Sequence, residues 1–212
     1  MFEIREDVPL AECANVLAQA FANEPGMRWV CGANRDISRR WFTATLTLND
    51  SRPGARRYAV TRGDEVLAVA IVSPAAPPPR LFQQLRWMAA VGSACGWQCV
   101  RRTLRYLELT EPLKPAGMWT LEFIGVAEGA RGQGLTRVLL SRIEADLPEH
   151  SLFLTTADPR NVPMYKHLGF AVEKTLELES LAVSAMSRIP RLILERGHIS
   201  AETVARPRPR FG

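Results

Sequence analysis

The hydrophobic pattern of this chain changes period once without a gap, in the stretch Trp119 to Leu140, WTLEFIGVAEGARGQGLTRVLL. From Trp119 to Val126, Leu121 and Phe123 alternate with Glu122 and Ile124, and that period of two predicts a strand. Beyond a glycine-rich turn, Leu135, Val138, Leu139 and Ile143 recur at three- and four-residue spacing, the stripe of a helix with one buried face. Strand, loop and helix follow directly, so the loop sits at a helix N-terminus and faces away from the core. Gly125, inside the strand, marks either a bulge or a close approach of another segment.

The remaining pattern arranges itself around this unit. Phe2 to Arg5 predicts a short strand, and Asp7 with Pro9 opens a helix bearing Cys13, Val16, Leu17, Ala20 and Phe21 on one face. Asn23 and Pro25-Gly26 stop it, and Met27 to Val30 read as a loop. A second helix begins at Asp36, with Ile37, Trp41, Thr45 and Leu48 turned inward. Residues 57–61 and 66–73 flank Gly63-Asp64 and predict a hairpin. A proline-rich connector follows at Pro74 to Pro79. Residues 80–110 then predict two helices broken near Gly92 to Gly96, one lined by Leu81, Leu85 and Met88, the other by Trp97, Val100, Leu104 and Leu107. These helices form either a wall over a cleft or a layer packed on the sheet. Ser151 to Thr156 is a strand, Asp158 to Asn161 a turn, and Asn161 caps a helix that Gly169 ends. Strands at 171–178 and 181–187 complete the pattern, with a last helix at Leu192 to Arg196.

At 212 residues the chain suits one domain over residues 1–187, with an extension at 188–212 that ends in a flexible Arg-Pro tail. Folding buries about 70% of the unfolded surface at this size, so no stapling is required. The net charge of +5 comes from 27 basic and 22 acidic residues, and Arg206, Arg208 and Arg210 supply three of the positive charges. A mildly basic body argues against a nucleic-acid face. Arg101, Arg102 and Arg105 read as a solvated outer surface. Cys13, Cys31, Cys95 and Cys99 lack paired spacing and histidine partners, which predicts reduced thiols and no metal site. His150, His167 and His198 are scattered and form no serine-histidine-acid order. No stretch approaches the roughly 18 apolar residues of a membrane span and the N-terminus carries acids early, so the protein reads as cytoplasmic, with no membrane partner.

The loop carries the chemistry. Arg131, Gly132, Gln133 and Gly134 gather unpaired N–H groups where the helix dipole is positive, and the glycines leave room for a ligand. Such a turn suits pyrophosphate. It lacks the Gly-Lys-Ser/Thr ending of a P-loop and the Gly-x-Gly-x-x-Gly of dinucleotide folds.

Arg131-Gly132-Gln133-Gly134-Leu135-Thr136 resembles the Arg/Gln-x-x-Gly-x-Gly/Ala signature of the GNAT superfamily of acyl-CoA-dependent N-acetyltransferases. Thr136 stands where that signature has Gly or Ala, and it either crowds the pantetheine side or offers a hydroxyl to phosphate. Asn161-Val162-Pro163-Met164-Tyr165-Lys166-His167-Leu168-Gly169-Phe170 resembles the family's Asn-x-x-x-Tyr…Gly-Phe segment. The resemblance spans about residues 1–187, and the layout is most similar to the branch containing puromycin N-acetyltransferase.

The resemblance implies an α/β fold whose mixed, mostly antiparallel central sheet is splayed in the middle and flanked by helices. It implies acetyl-CoA as co-substrate, with its pyrophosphate on residues Arg131 to Thr136. Pantetheine would pair with the backbone of Ile124 and Val126, whose Val126 N–H would serve an oxyanion. Asn161 either caps its helix or also bonds the pantetheine arm. Tyr165 is implied as general acid; a phenol near pKa 10 stays protonated until a thiolate near 8.5 needs its proton. Glu122, the strand's one acid, shares a face with Ile124 and Val126 by alternation, and is either a general base or a structural carboxylate. The expected reaction is acetyl transfer to a primary amine of a small molecule or, secondarily, of a protein. A bulky apolar acceptor fits the tryptophan-bearing 80–110 segment, and the chain would act as a monomer or homodimer. The competing class is a catalytically silent acyl-CoA-binding module.

Overall fold

A computed structural model describes residues 1–75 and 80–190. The strands are β1 (Glu3–Arg5), β2 (Arg56–Arg62), β3 (Glu65–Ser73), β4 (Trp119–Val126), β5 (Leu152–Thr156), β6 (Ala171–Leu178) and β7 (Leu181–Arg188). The helices are α1 (Leu10–Ala20), α2 (Pro25–Cys31), α3 (Arg35–Asp50), α4 (Leu81–Cys95), α5 (Trp97–Thr110), α6 (Leu135–Asp146) and α7 (Asn161–His167). Strand order in the sheet is β1-β2-β3-β4-β5-β7-β6. Every adjacent pair is antiparallel except β4 and β5, which run parallel. This is the mixed, mostly antiparallel sheet that the sequence implied. The expected helix at Leu192 to Arg196 and the Arg-Pro tail lie outside the described residues.

Alternation along β3 builds both faces of the core. Ala68, Ala70 and Val72 pack with Leu135, Leu139, Leu140 and Ile143 of α6, while Val69 and Ile71 pack with Leu17 of α1 and Phe42 and Leu46 of α3. A strand covered on both sides carries apolar residues at successive positions, which is why EVLAVAIVS lacks a polar face. The hairpin turn falls at Gly63, whose φ of 58° a side chain rarely tolerates.

Several helices bury faces other than those expected. In α3 the fully buried positions are Phe42 and Leu46, with Trp41, Ser38 and Asn49 beside them, and Thr45 and Leu48 lie at the margin. In α6 Leu140 takes the inner place assigned to Val138, which is exposed. In α4 and α5 the break at Gly96 is as expected, but Leu81, Leu85, Trp97, Leu104 and Leu107 are exposed, and Trp87, Val91, Cys99, Val100 and Thr103 are buried. Both inner faces are mixed in polarity because the helices pack chiefly on other helices, α4 on α3 and α5 on α2 and α4. Indole N–H groups there find hydroxyls: Trp41 Nε1 donates to Thr103 Oγ1 at 3.0 Å and Trp87 Nε1 to Thr45 Oγ1 at 3.1 Å. A pattern count that scores only apolar residues misses faces satisfied in this way.

Residues 27–30 belong to a helix, not a loop. Pro25 occupies the first turn of α2, where its missing N–H costs nothing, and Glu24 caps it by accepting from Met27 N at 2.6 Å. The proline that was read as a stop is a start.

The sheet parts in the middle. Pairing of β4 with β5 is confined to Trp119↔Leu152 and Thr120↔Phe153. Opposite β3 the register slips, with Val72↔Leu121 followed by Ile71↔Phe123, so Glu122 is an extra residue in β4. A bulge bends and twists the strand that carries it, and β4 leaves β5 at this point. Gly125 is therefore the close approach and not the bulge: a Cβ there would stand 2.8 Å from Ala20 Cβ and 3.1 Å from Leu17 Cδ2.

Candidate active site

The gap between β4 and β5 opens into a cavity of about 680 Å³, within the range of small-molecule sites. Its walls come from β4, residues 130–132 and 134–136, β5 and the segment after it, α7, and the inner sides of α2 and α5.

One half of this cavity is main chain. Ala127 N donates to Leu67 O on β3 at 2.8 Å. Alternation then turns the peptide groups of Gly125 toward β3 and those of Ile124 and Val126 into the gap, where no strand receives them. The chain continues through a short 3-10 turn, Glu128–Ala130, to Gly132 and Gly134, with φ of 76° and 73°. Among the described residues the N–H groups from Gly132 to Thr136 donate to no carbonyl, and a Cβ on either glycine would project into open space. Unpaired donors at the start of α6 make an anion cradle. Thr136 lines its wall at the second helical position.

The strand is held firmly from behind. Phe123 packs edge-on against Phe42, Trp41 and Phe21 at ring distances of 5.2, 5.9 and 6.2 Å, contacts worth about 0.5–1.5 kcal/mol each beyond area burial.

The other half is made of side chains. Tyr165, on α7, is 8% exposed and faces the cavity, with Phe170 5.7 Å behind its ring. Burial, with a smaller push from Glu24, holds its phenol well above the ordinary tyrosine range. Glu122 pairs with Arg52 at 3.1 Å. Burial nevertheless raises its carboxyl, the pull of Arg52 being the smaller influence. Glu24 is raised by burial and by repulsion from Asp158, against hydrogen bonds from the Met27 and Gly26 N–H groups. Asp158 is held low by the hydrogen bonds from Arg160. Tyr106, on α5, donates to Thr155 Oγ1 at 3.0 Å, and burial pushes it up to about 12.

Of the residues singled out in the sequence, Tyr165, Glu122, Ile124, Val126, Arg131, Gly132, Gly134, Leu135, Thr136 and Asn161 all border this one cavity. Gln133 does not: its side chain accepts from Arg62 Nη2 at 3.2 Å and reaches back to Gly129 O. Leu135 is core, 1% exposed, and reaches the cavity at the helix start. Asn161 is the first residue of α7 and makes no side-chain cap, so its amide remains available to the cavity. Glu122 does not share a face with Ile124 and Val126. Leu121 and Ile124 pack in one cluster and Phe123 in the other, so the bulge swings Glu122 toward the α3 side, where Arg52 waits.

Sequence reading missed Glu24, Asp158 and Tyr106. For Glu24 a signal existed, an acid directly before a proline that can open a helix. Arg102, read as solvated, donates to the Trp29 carbonyl and stacks on its ring. Among the described residues no cluster of His, Cys, Asp and Glu could hold a metal, and no helix is long and apolar enough to cross a membrane.

Solved structures share this fold at low identity. A structure from Corynebacterium glutamicum, titled for histone acetyltransferase HPA2 and related acetyltransferase, aligns at TM-score 0.59 and 20% identity, over 90% of this chain and 96% of that one. The arylalkylamine N-acetyltransferase 2 of Aedes aegypti aligns at 0.57 and 11%, over 89% and 98%. The ribosomal-protein-S18-alanine N-acetyltransferase of Escherichia coli aligns at 0.55 and 15%, over 89% and 94%. The family profile described as Acetyltransferase (GNAT) family matches residues 28–170, from α2 to the residue after Gly169, and the chain belongs to that family.

Proposed function

We propose that this protein transfers an acetyl group from acetyl-CoA to the primary amine of a small molecule. The observation that carries this reading is the continuity of the main-chain half, where unpaired peptide groups at Ile124 and Val126 lead into unpaired N–H groups from Gly132 to Thr136. An amide-bearing arm ending in pyrophosphate is the ligand that such a surface suits. The residues present fit it: donors cluster at the helix start, and the open space beside Gly132 and Gly134 admits the phosphates. When bound, acetyl-CoA supplies the activated acyl group; the roles that follow belong to the protein.

Ile124 and Val126 hold the arm as an added strand would, and the Val126 N–H is aimed where negative charge develops on the acyl oxygen. Asn161 bonds the arm from the opposite wall. Tyr165 gives its proton to the departing sulfur, which its raised pKa permits across the neutral range. Glu122, steadied by Arg52, receives the proton of the amine directly or through water. Glu24 has no cationic partner among the described residues and lies near enough to Tyr165 to act on its titration, so it gathers the ammonium form of the acceptor beside the reacting centre. Trp41, Phe123 and Phe153 on the same wall favour an apolar body on that amine, in keeping with the layout of the puromycin N-acetyltransferase-like branch.

The test is titration calorimetry with acetyl-CoA and with a pantetheine thioester lacking the nucleotide, followed by thiol release in the presence of amines. Binding that collapses on truncation, with amine-dependent release, is expected. Binding without amine-dependent release would leave a silent acyl-CoA-binding module, and no binding would sink the reading.

A further inference from the structure

Glu122 is held by more than Arg52. Along β3, alternation places Ser73 on the face of Val69 and Ile71, toward α3, and Thr120 of β4 is its partner across the ladder. Glu122, the extra residue of β4, is swung to that same face, so it is the diagonal neighbour of Ser73, within reach of a long side chain. The end of α3 and the turn after it close on this point. Arg52 Nη1 donates to Glu122 Oε1 at 3.1 Å, and Asn49 Nδ2 donates to Ser73 Oγ at 3.1 Å.

Asn49 and Ser73 are both buried. A pair that only tied α3 to β3 could be apolar, since replacing both partners of a buried hydrogen bond by groups of the same shape is nearly neutral. A serine is called for where its one proton must reach a third group. That proton has two acceptors in range. Asn49 Oδ1 lies at 3.3 Å, and the Glu122 carboxylate is close enough for the hydroxyl to favour its charged form. When Asn49 donates through Nδ2, the shorter of its two contacts, the serine oxygen accepts and its hydrogen is left for Glu122.

We propose that Asn49 and Ser73 are positioning residues for the base: Asn49 donates to Ser73, Ser73 donates to Glu122, and the carboxylate is held between the serine hydroxyl and Arg52 at the cavity wall. This rests on the transferase reading above, in which Glu122 receives the proton of the amine. The hydroxyl and the guanidinium both favour the charged carboxylate against the burial that opposes it. Glu111 and Lys114, from the segment before β4, also act on Glu122 and oppose each other.

The test is the titration of Glu122, followed by its carboxyl carbon-13 resonance in glutamate-labelled full-length protein and assigned through Glu122→Gln. Ser73→Ala should raise the midpoint by about one pH unit, the tenfold effect of losing one hydrogen bond to a charged group. Ser73→Cys, a weak donor of similar shape, should move it in the same direction and serves if the alanine variant does not fold. Asn49→Ala should raise it by less and add nothing on top of Ser73→Ala, as a residue acting through the serine must. In each variant the acidic limb of the amine-acetylation profile should move upward with the midpoint, while acetyl-CoA affinity stays unchanged. A midpoint unmoved by both serine variants would overturn the proposal, whether or not Tm falls, and leave Asn49 and Ser73 as a structural tie. An Asn49→Ala effect that persists in full beside Ser73→Ala would overturn the order of donation. The midpoint is read without turnover, so the two readings fail separately. Absence of amine-dependent thiol release at any pH would remove the transferase and its base, whereas an unmoved midpoint would remove only the positioning role.

Discussion

The half of the cavity bounded by residues 124–136 is nearly all main chain from one continuous segment, whereas the half facing α2 and α5 is assembled from side chains as far apart as Glu24, Tyr106, Glu122 and Tyr165. A peptide group points where the secondary structure sends it, so the first half is specified by strand period, two glycines and a helix start. A side-chain site depends on which helices meet, and so on the whole core. The first kind of site can stay constant while the second is rebuilt for another acceptor.

Substitutions can break the comparison or sharpen it. The largest effect is expected from Gly134→Glu, which forces a side chain to φ 73° and places negative charge in the anion cradle. Acetyl-CoA affinity measured by calorimetry should fall by about a hundredfold or more, since close like charges cost several kcal/mol. Retained affinity would mean that the two halves are not divided as described. Next, Tyr165→Phe should lower kcat by about two orders of magnitude, the scale of general-acid catalysis, while calorimetry shows acetyl-CoA binding unchanged. A loss of cofactor binding instead would move Tyr165 into the other half.

Smaller effects separate the two carboxylates. Glu122→Gln should lower kcat about tenfold and remove the acidic limb of the rate profile. The sign follows from burial: the Glu122 carboxyl titrates above its ordinary value, so the base is active above that raised pKa and is lost as pH falls through it. Glu24→Gln should act mainly on the acceptor, raising its KM by about threefold to tenfold through loss of one charge-assisted contact, with kcat little changed. The opposite split, read from steady-state kinetics of both variants, would exchange the two roles. The mildest change, Gly125→Ala, sets a methyl against Ala20 and Leu17. It should cost about 1–3 kcal/mol of stability in denaturant unfolding and disturb both halves together, because both are built on β4.

The division also explains what was legible in the sequence. Strand β4, the anion loop and the start of α6 appear in the chain as an unbroken change of period, and they were read with their boundaries nearly correct. Tyr165 followed from a motif in the same way. Glu24 was hidden because Pro25 is compatible with either a stop or a start, and only the packing of α2 on α5 chooses. Arg102 looks like a surface charge until Trp29 is brought to it. Glu122 was placed on the wrong face because alternation assumes an unbroken ladder, and an extra residue in β4 is invisible until β3 is laid beside it.

That extra residue has a consequence for how the domain could change over time. On either side of Glu122 the strand is one half-cycle out of step, with Trp119 and Leu121 ahead of the slip and Ile124 and Val126 behind it all turned to the same core. Deleting one residue between Leu121 and Ile124 would put both on one face of a regular pleat with no bulge and invite β5 to pair along the full strand, erasing the opening. The cavity therefore depends on the length of the chain at this point, whereas substitutions around it can alter what it accepts while the opening stays.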